Sequence, residues 1–208
     1  MTKPSPSPFA EHWDLDPEVI FLNHGSFGAC PRVILERQQE LRREMEAQPL
    51  RFLYHSLEER IDAAKPRLAS LVGCEPEDLA FVANATTGVN SVLRSLSFSE
   101  GDELLVTDHE YNASRNALEY VAELHGAKIV VAPIPFPIES RQQVINAVLD
   151  KATDQTRLCL IDHVTSPTGV IMPVEEIVQA LNERGIDTLV DGAHAPGMLP
   201  PALSSLRA

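Results

Sequence analysis

Residues 187–197 read DTLVDGAHAPG, and this stretch decides how the rest of the chain is interpreted. Its first four residues form a short run of the kind found in strands of buried parallel sheets. The run ends at Asp191, and His194 follows three positions later. Open α/β sheets bind ligands at the carboxyl ends of their strands. The stretch therefore predicts a strand that delivers a carboxylate and an imidazole to a binding edge.

Similar apolar runs alternate with helical patterns in the residues that precede this stretch. The predicted strands are 79–82, 103–106, 128–131, 158–161 and 188–190, and the predicted helices are 31–48, 52–72, 86–96, 112–125, 140–152 and 173–184. Pro66, inside the second helix, predicts a kink or a break. The alternation indicates βαβ units with right-handed crossovers. The predicted fold class is therefore α/β, with three layers and a mainly parallel sheet covered by helices on both faces.

Three segments are predicted along the chain. Residues 1–18 form a flexible N-terminal tail, since their first part is rich in proline and lacks an apolar core. Residues 19–74 form a helical segment, and residues 75–208 form the domain that contains the sheet.

Composition narrows the class of protein. The chain has 208 residues, 44% of them hydrophobic and 23% charged, as is typical of a soluble globular protein. Its net charge of −13 argues against a nucleic-acid partner. No apolar run approaches the length of a membrane span. Cys30, Cys74 and Cys159 are scattered without metal-ligand spacing, so we expect no metal site and a reducing, cytoplasmic location.

Polar residues follow the predicted strands, and each of these positions has an ordinary structural interpretation as well as a functional one. Thr86 and Thr87 open a helix whose free N–H groups suit an anion, although such threonines are often only helix caps. His109 can stack on a flat cofactor, transfer a proton or cap the next helix. The loop at residues 162–169 is polar, and a turn without chemistry also explains it. Asp191 can pair with a protonated ring nitrogen or cap a helix.

Together these parts suit pyridoxal phosphate, which needs a phosphate site, a stacking ring, hydrogen-bond donors and a carboxylate for its pyridine nitrogen. The chain resembles class V aminotransferase-like enzymes that use this cofactor on the fold-type I scaffold, in the isopenicillin-N epimerase-like branch. The resemblance rests on five blocks, at residues 21–28, 84–90, 108–111, 165–169 and 190–194. It implies that residues 75–208 are an incomplete large cofactor-binding domain, without the last strands or the small domain.

The resemblance also implies roles for individual residues. Ala85, Thr86 and Thr87 would hold the phosphate. His109 would stack on the ring and could relay a proton, while Asp191 would pair with the pyridine nitrogen. The phenolic oxygen of the ring would be contacted by His194 and Ser166, two positions where cysteine desulfurases often carry Gln and Asn. The segment Asn23, His24 and Gly25 resembles the part of the family that approaches the substrate.

The family's Schiff-base lysine is expected some tens of residues beyond Asp191, and no lysine follows His194 in this sequence. The lysines that are present are Lys3, Lys65, Lys128 and Lys151. We therefore expect an N-terminal fragment of an enzyme that acts on an amino acid, as an epimerase, a C–S lyase or desulfurase, or an aminotransferase. The resemblance implies a homodimer for the full-length form. The alternative is a non-catalytic, truncated cofactor-binding or interaction module.

Overall fold

The computed structural model describes residues 5–200 and 203–206. These residues contain seven α-helices and four strands. The helices are α1 (Arg32–Ala47), α2 (Leu57–Val72), α3 (Ala85–Ser95), α4 (Asn112–His125), α5 (Arg141–Leu149), α6 (Val174–Asn182) and α7 (Leu203–Leu206). The strands are β1 (Glu103–Thr107), β2 (Lys128–Ala132), β3 (Thr156–Asp162) and β4 (Asp187–Asp191). No helix in the described part of the chain is long and apolar enough to cross a lipid bilayer.

The chain divides into two compact units between Ala64 and Lys65. This point lies earlier than the predicted boundary near residue 75. The last turns of α2 explain the difference, because Ala69 is buried and the carbonyl of Gly73 accepts a hydrogen bond from the N–H of Ser204. This end of α2 therefore packs with the residues that follow it.

The first unit has little buried surface of its own. A 3₁₀ turn at Ala10–His12 falls within the predicted tail, and the indole N–H of Trp13 next to it donates to the carbonyl of Ala29 at 3.0 Å. Helix α1 begins after Pro31 and buries none of its residues. Flexibility of residues 1–18 stays a prediction, and residues 1–4, with Lys3, lie outside the described residues.

Helix α2 follows a π-helical turn at Arg51–Ser56 and runs through Pro66 without interruption. Of the predicted kink or break at this proline, the break is therefore wrong, and the kink stays a prediction. A proline removes one backbone donor from the helix, and the hydrogen bonds on either side of it are enough to keep the helix continuous.

The second unit is built on a parallel sheet with the order β2-β1-β3-β4. Buried side chains alternate along its strands: Leu104 and Val106 join a core with α3 and α4 on one face, and Leu105 joins a core with α5, α6 and α7 on the other. This confirms the predicted three-layer α/β fold. Helix α4 ends at Gly126, whose φ of 69° is left-handed and favours glycine.

The predicted strand at residues 79–82 is not formed among the described residues. The segment is extended at Leu79, but it joins no ladder, and Phe81 and Val82 are about half exposed. A short apolar run is a strand only if a neighbouring strand supplies hydrogen bonds, and the sequence pattern does not reveal whether that neighbour is present.

Candidate functional site

The order of the strands creates a switch point between β1 and β3. From β1 the chain moves to β2 on one side, and it then returns to place β3 on the other side of β1. Helix α4, which follows β1, packs on one face of the sheet, while α6, which follows β3, packs on the opposite face. The two connections diverge at the carboxyl ends of these strands, and such a point is where open α/β sheets form a binding crevice.

His109 lies in the loop that follows β1 and is only 8% exposed. Its Nδ1 shares a hydrogen bond of 3.0 Å with the hydroxyl of Thr168, in the loop after β3. That hydroxyl lies 2.7 Å from the hydroxyl of Thr165. The backbone N–H of His109 also donates to the Thr107 hydroxyl at 3.3 Å. The imidazole is therefore held between the two diverging loops, as a group that must present a fixed ring face requires.

Asp191 is the last residue of β4 and is 4% exposed. Its Oδ2 accepts a hydrogen bond of 2.8 Å from the hydroxyl of Ser114, a fully buried residue in the first turn of α4. Its Oδ1 accepts one of 3.1 Å from the N–H of Ala193. Both oxygens of a buried carboxylate are thus oriented, which suits a group that must meet a ring N–H in a fixed direction.

Two further carboxyl groups lie beside Asp191. Oxygens of Glu110, Asp162 and Asp191 all lie within 4.8 Å of one another. Burial, followed by the charges of Asp162 and Asp191, raises the pKa of Glu110 from 4.5 to about 9. Burial, followed by the charge of Asp191, raises the pKa of Asp162 from 3.8 to about 7, although the N–H of Tyr111 opposes the rise. Burial and neighbouring negative charge therefore both favour the protonated forms of Glu110 and Asp162 at this edge of the sheet.

The side chain of Asn84 caps the N-terminus of α3. Oδ1 of Asn84 accepts hydrogen bonds from the N–H of Thr87 at 2.8 Å and from its hydroxyl at 3.0 Å. The cap engages Thr87, and among the described residues the N–H groups of Ala85 and Thr86 and the Thr86 hydroxyl donate no hydrogen bond. Of the three residues predicted to hold a phosphate, Ala85 and Thr86 are thus better placed than Thr87 to donate hydrogen bonds to an anion.

The remaining predicted residues are more exposed. Ser166 lies in the exposed turn that the hydrogen bond from the N–H of Gly169 to the carbonyl of Thr165 closes. His194 is half-buried just after β4. In the other compact unit, Asn23, His24 and Gly25 are all exposed, and the His24 ring contacts Phe21 edge-on at 4.7 Å between ring centroids. Roles for these five residues stay predictions.

Sequence reasoning did not assign a role to four side chains of the site, namely Glu110, Ser114, Asp162 and Thr168. Asp162 ends a strand and Glu110 follows one closely, so the rule that pointed to Asp191 and His109 could also have indicated these two acids. Ser114 carries no such signal, because it lies inside a helix and its partner is 77 positions away.

A groove of about 820 Å³ lies beside β4, away from these groups. Its lining includes Thr188, Leu189 and Val190, so it follows the outer edge of the strand, where the described residues place no further strand. Neither His109 nor Asp191 lines it. The groove is therefore a feature of the sheet edge and not the site that the polar residues define.

A comparison with known protein families identifies the class to which the chain belongs. The model of the class V aminotransferase family matches residues 20–208, and the chain belongs to that family. Membership indicates pyridoxal phosphate as the cofactor.

Two curated relatives are similar to this chain over most of its length. The chain is 38% identical over 192 residues to isopenicillin N epimerase from Streptomyces clavuligerus, covering 92% of this chain and 48% of that one. It is 34% identical over 197 residues to a putative L-cysteine desulfhydrase from Oryza sativa subsp. japonica, covering 88% and 41%. The chain spans about half the length of the curated relatives that it matches.

A solved structure agrees in fold. It is a variant of C-DES with glycine covalently linked to its PLP cofactor, and it superposes with a TM-score of 0.78 at 24% sequence identity. The match covers 90% of this chain and 50% of that chain.

The residues present fit pyridoxal phosphate. A buried carboxylate with both oxygens oriented, an imidazole fixed between two loops and a helix N-terminus with donors outside its cap all come from the second compact unit. These are the donor and acceptor types that a protonated pyridine ring carrying a phosphate requires.

Proposed function

We propose that this chain carries the ring-binding and phosphate-binding residues of a pyridoxal-phosphate enzyme that acts on an amino acid. The observation that carries the proposal is the buried Asp191 carboxylate, held by Ser114 at the carboxyl edge of the sheet. The cofactor, when bound, supplies an electron sink for charge that develops at the substrate carbon.

The chain's own residues would bind and orient that group. Asp191 would pair with the ring nitrogen and keep it protonated, because an ionised carboxylate favours a proton on its partner. His109, fixed by Thr168, would cover one face of the ring and exclude water from it. The N–H groups of Ala85 and Thr86 would bind the phosphate at the positive end of the α3 dipole.

Other roles follow from the resemblance alone. Thr87 would add to the phosphate site, and His194 and Ser166 would hydrogen-bond to the phenolic oxygen of the ring. Asn23, His24 and Gly25 would approach the substrate.

The nucleophile that would hold the cofactor is proposed to lie outside this sequence. Lys128 begins β2, at the amino edge of the sheet, which is opposite to the edge that carries Asp191. Lys65 lies inside α2 and Lys151 follows α5. These positions support the proposal that the chain alone lacks the Schiff-base lysine and is inactive, and that the activity belongs to the full-length protein.

Three reaction types are proposed for that protein: epimerisation, C–S bond cleavage and transamination. The similarity to an isopenicillin N epimerase and to an L-cysteine desulfhydrase supports the first two. A second candidate is a non-catalytic module that binds the cofactor or a partner. It is favoured by the outer edge of β4 beside the groove, where the described residues place no further strand. A cytoplasmic location and a homodimer of the full-length protein remain part of the proposal, the first supported by three free cysteines.

Titration of the chain with pyridoxal phosphate, followed by absorbance, tests the proposal. Asp191→Asn and Asp191→Ala should weaken binding at least tenfold. Asp187→Ala is the matched control, because Asp187 is exposed at the other end of the same strand, and it should bind like the parent chain. Equal affinity of parent, Asp191 variants and control would contradict the assignment of Asp191. Borohydride trapping of the cofactor on one defined lysine of this chain would contradict the missing nucleophile.

A further inference from the structure

The carboxyl edge of the sheet brings three acidic side chains together from three separate segments. Glu110 comes from the loop after β1, Asp162 is the last residue of β3, and Asp191 is the last residue of β4. Asp162 and Asp191 face each other in the β3–β4 ladder. Oxygens of all three groups lie within 4.8 Å of one another, so three full charges would repel strongly here.

Hydrogen bonding separates these acids into two kinds. Asp191 receives one donor on each oxygen, from the Ser114 hydroxyl and from the Ala193 N–H. By contrast, neither oxygen of Glu110 nor the Oδ2 of Asp162 accepts a well-formed hydrogen bond within the residues that the structure describes. The nearby N–H groups of Asp162 and Tyr111 oppose the rise in the Glu110 pKa, but burial and the two neighbouring carboxylates outweigh them. Asp162 is only 2% exposed, so this oxygen is also shielded from water. Unpaired buried oxygens strongly disfavour a negative charge.

The surroundings reinforce this difference. Burial is the main cause that raises the pKa of both Glu110 and Asp162, and the neighbouring acids add to it. Cys159 of β3 also interacts with Glu110, and burial raises the pKa of its thiol to about 12, so it remains neutral. The titratable groups that face Glu110 are thus Asp162, Asp191 and this thiol, all of which are acids.

We propose that Glu110 and Asp162 are both protonated beside Asp191 at slightly acid pH, that Glu110 stays protonated through neutral pH, and that the negative charge of the group lies on Asp191. They hold two protons in the site and concentrate its negative charge on the carboxylate with two hydrogen-bond donors. They are positioning residues, which act through Asp191.

The consequence for the cofactor rests on the proposed function. A single carboxylate with protonated neighbours would pair with a ring N–H in one direction. Three ionised acids would also attract cations from the solvent. The protonation states themselves do not depend on a bound cofactor, and they can therefore be measured on the chain without it.

Infrared spectroscopy of the cofactor-free chain tests the proposal, since the C=O stretch of a protonated carboxyl group is distinct from the bands of a carboxylate. At pH 6 the difference spectra of Glu110→Gln and of Asp162→Asn against the parent should each show loss of a protonated-carboxyl band. Glu123→Gln, at an exposed position of α4, should show no such loss. In the parent chain the band should disappear in two steps as the pH rises from 6 to 10, with apparent values that belong to the coupled group.

Two results would overturn the proposal. One is a parent spectrum without a protonated-carboxyl band that depends on Glu110 or Asp162. The other is a melting temperature that Mg²⁺, Ca²⁺ or Mn²⁺ raises in the parent chain and in Glu123→Gln but not in Glu110→Gln, because a cation would then neutralise the three charges. The titration of the parent chain remains decisive even if a variant does not fold. Failure to bind pyridoxal phosphate, with the band present, would contradict only the proposed function.

Discussion

The hydroxyl of Ser114 donates a hydrogen bond of 2.8 Å to the carboxylate of Asp191, and the two residues are 77 positions apart in the sequence. Ser114 is fully buried on α4, and Asp191 ends β4. One hydroxyl therefore links the helix that follows the first strand to the end of the last strand. This contact leads to the first prediction.

Ser114→Ala should destabilise the chain by about 1–3 kcal/mol, because it leaves one oxygen of a buried carboxylate without its donor. Urea denaturation measures the loss. Ser91→Ala is a suitable control, since the hydroxyl of Ser91 donates to a carbonyl on the exposed side of α3. Equal stability of the two variants would show that the bond to Asp191 contributes nothing.

The stability of the chain should fall as the pH rises above 5. An acid whose pKa is raised on folding contributes stability that is complete below its unfolded pKa and is lost as the pH rises to its folded pKa. That window runs from 4.5 to about 9 for Glu110 and from 3.8 to about 7 for Asp162. The free energy of unfolding from urea denaturation should therefore decrease between pH 5 and pH 9.

Glu110→Gln should flatten this pH dependence, because it removes one of the two titrating groups and keeps the shape of the side chain. Glu123→Gln should leave the slope of the parent chain unchanged. A parent chain whose stability rises from pH 5 to 9 would show that ionised acids at this edge are tolerated.

The imidazole of His109 should contribute to cofactor binding mainly through its ring face. His109→Phe should therefore keep pyridoxal-phosphate affinity within about threefold, while His109→Ala should weaken it about tenfold. Thr168→Val should have an intermediate effect, since it removes the hydrogen bond that orients the ring. If the Phe variant bound as poorly as the Ala variant, the imidazole nitrogens and not the ring face would be the important feature.

Asn84→Ala should cost about 1 kcal/mol of stability, because Asn84 caps α3 through the N–H and the hydroxyl of Thr87. Asn84→Ser should retain most of it, as serine is also a good cap. Thermal or urea unfolding of the three proteins gives the comparison. A stable Ala variant would mean that the N-terminus of α3 is satisfied in another way.

The sequence predicts those elements whose pattern is local. Four of the five predicted strands are present within two residues of their expected ends. The strand at residues 79–82 could not be judged in this way, because strand formation depends on a neighbour that the local pattern does not contain.

The residues of the candidate site also divide into those that the local sequence pattern predicts and those that depend on distant parts of the chain. Asp191 and His109 stand out because they follow apolar runs closely, and the structure places both at the carboxyl edge of the sheet. The Ser114 hydroxyl and the unpaired oxygens of Glu110 could not be foreseen, since both depend on which strands become neighbours. Strand order, and not residue type, decides which acids meet.

The two helical layers of the second unit contribute unequally to the site. Helices α3 and α4, on one face, supply Thr86 and Ser114, whereas α5, α6 and α7, on the other face, supply only packing to the candidate site. Substitutions in α5, α6 and α7 should thus affect stability alone. Substitutions in α3 and α4 should also affect the residues of the candidate site. In a library of random variants scored for pyridoxal-phosphate binding, a stabilising substitution elsewhere should therefore restore binding to variants in α5 and α6. It should not restore binding to variants of Ser114.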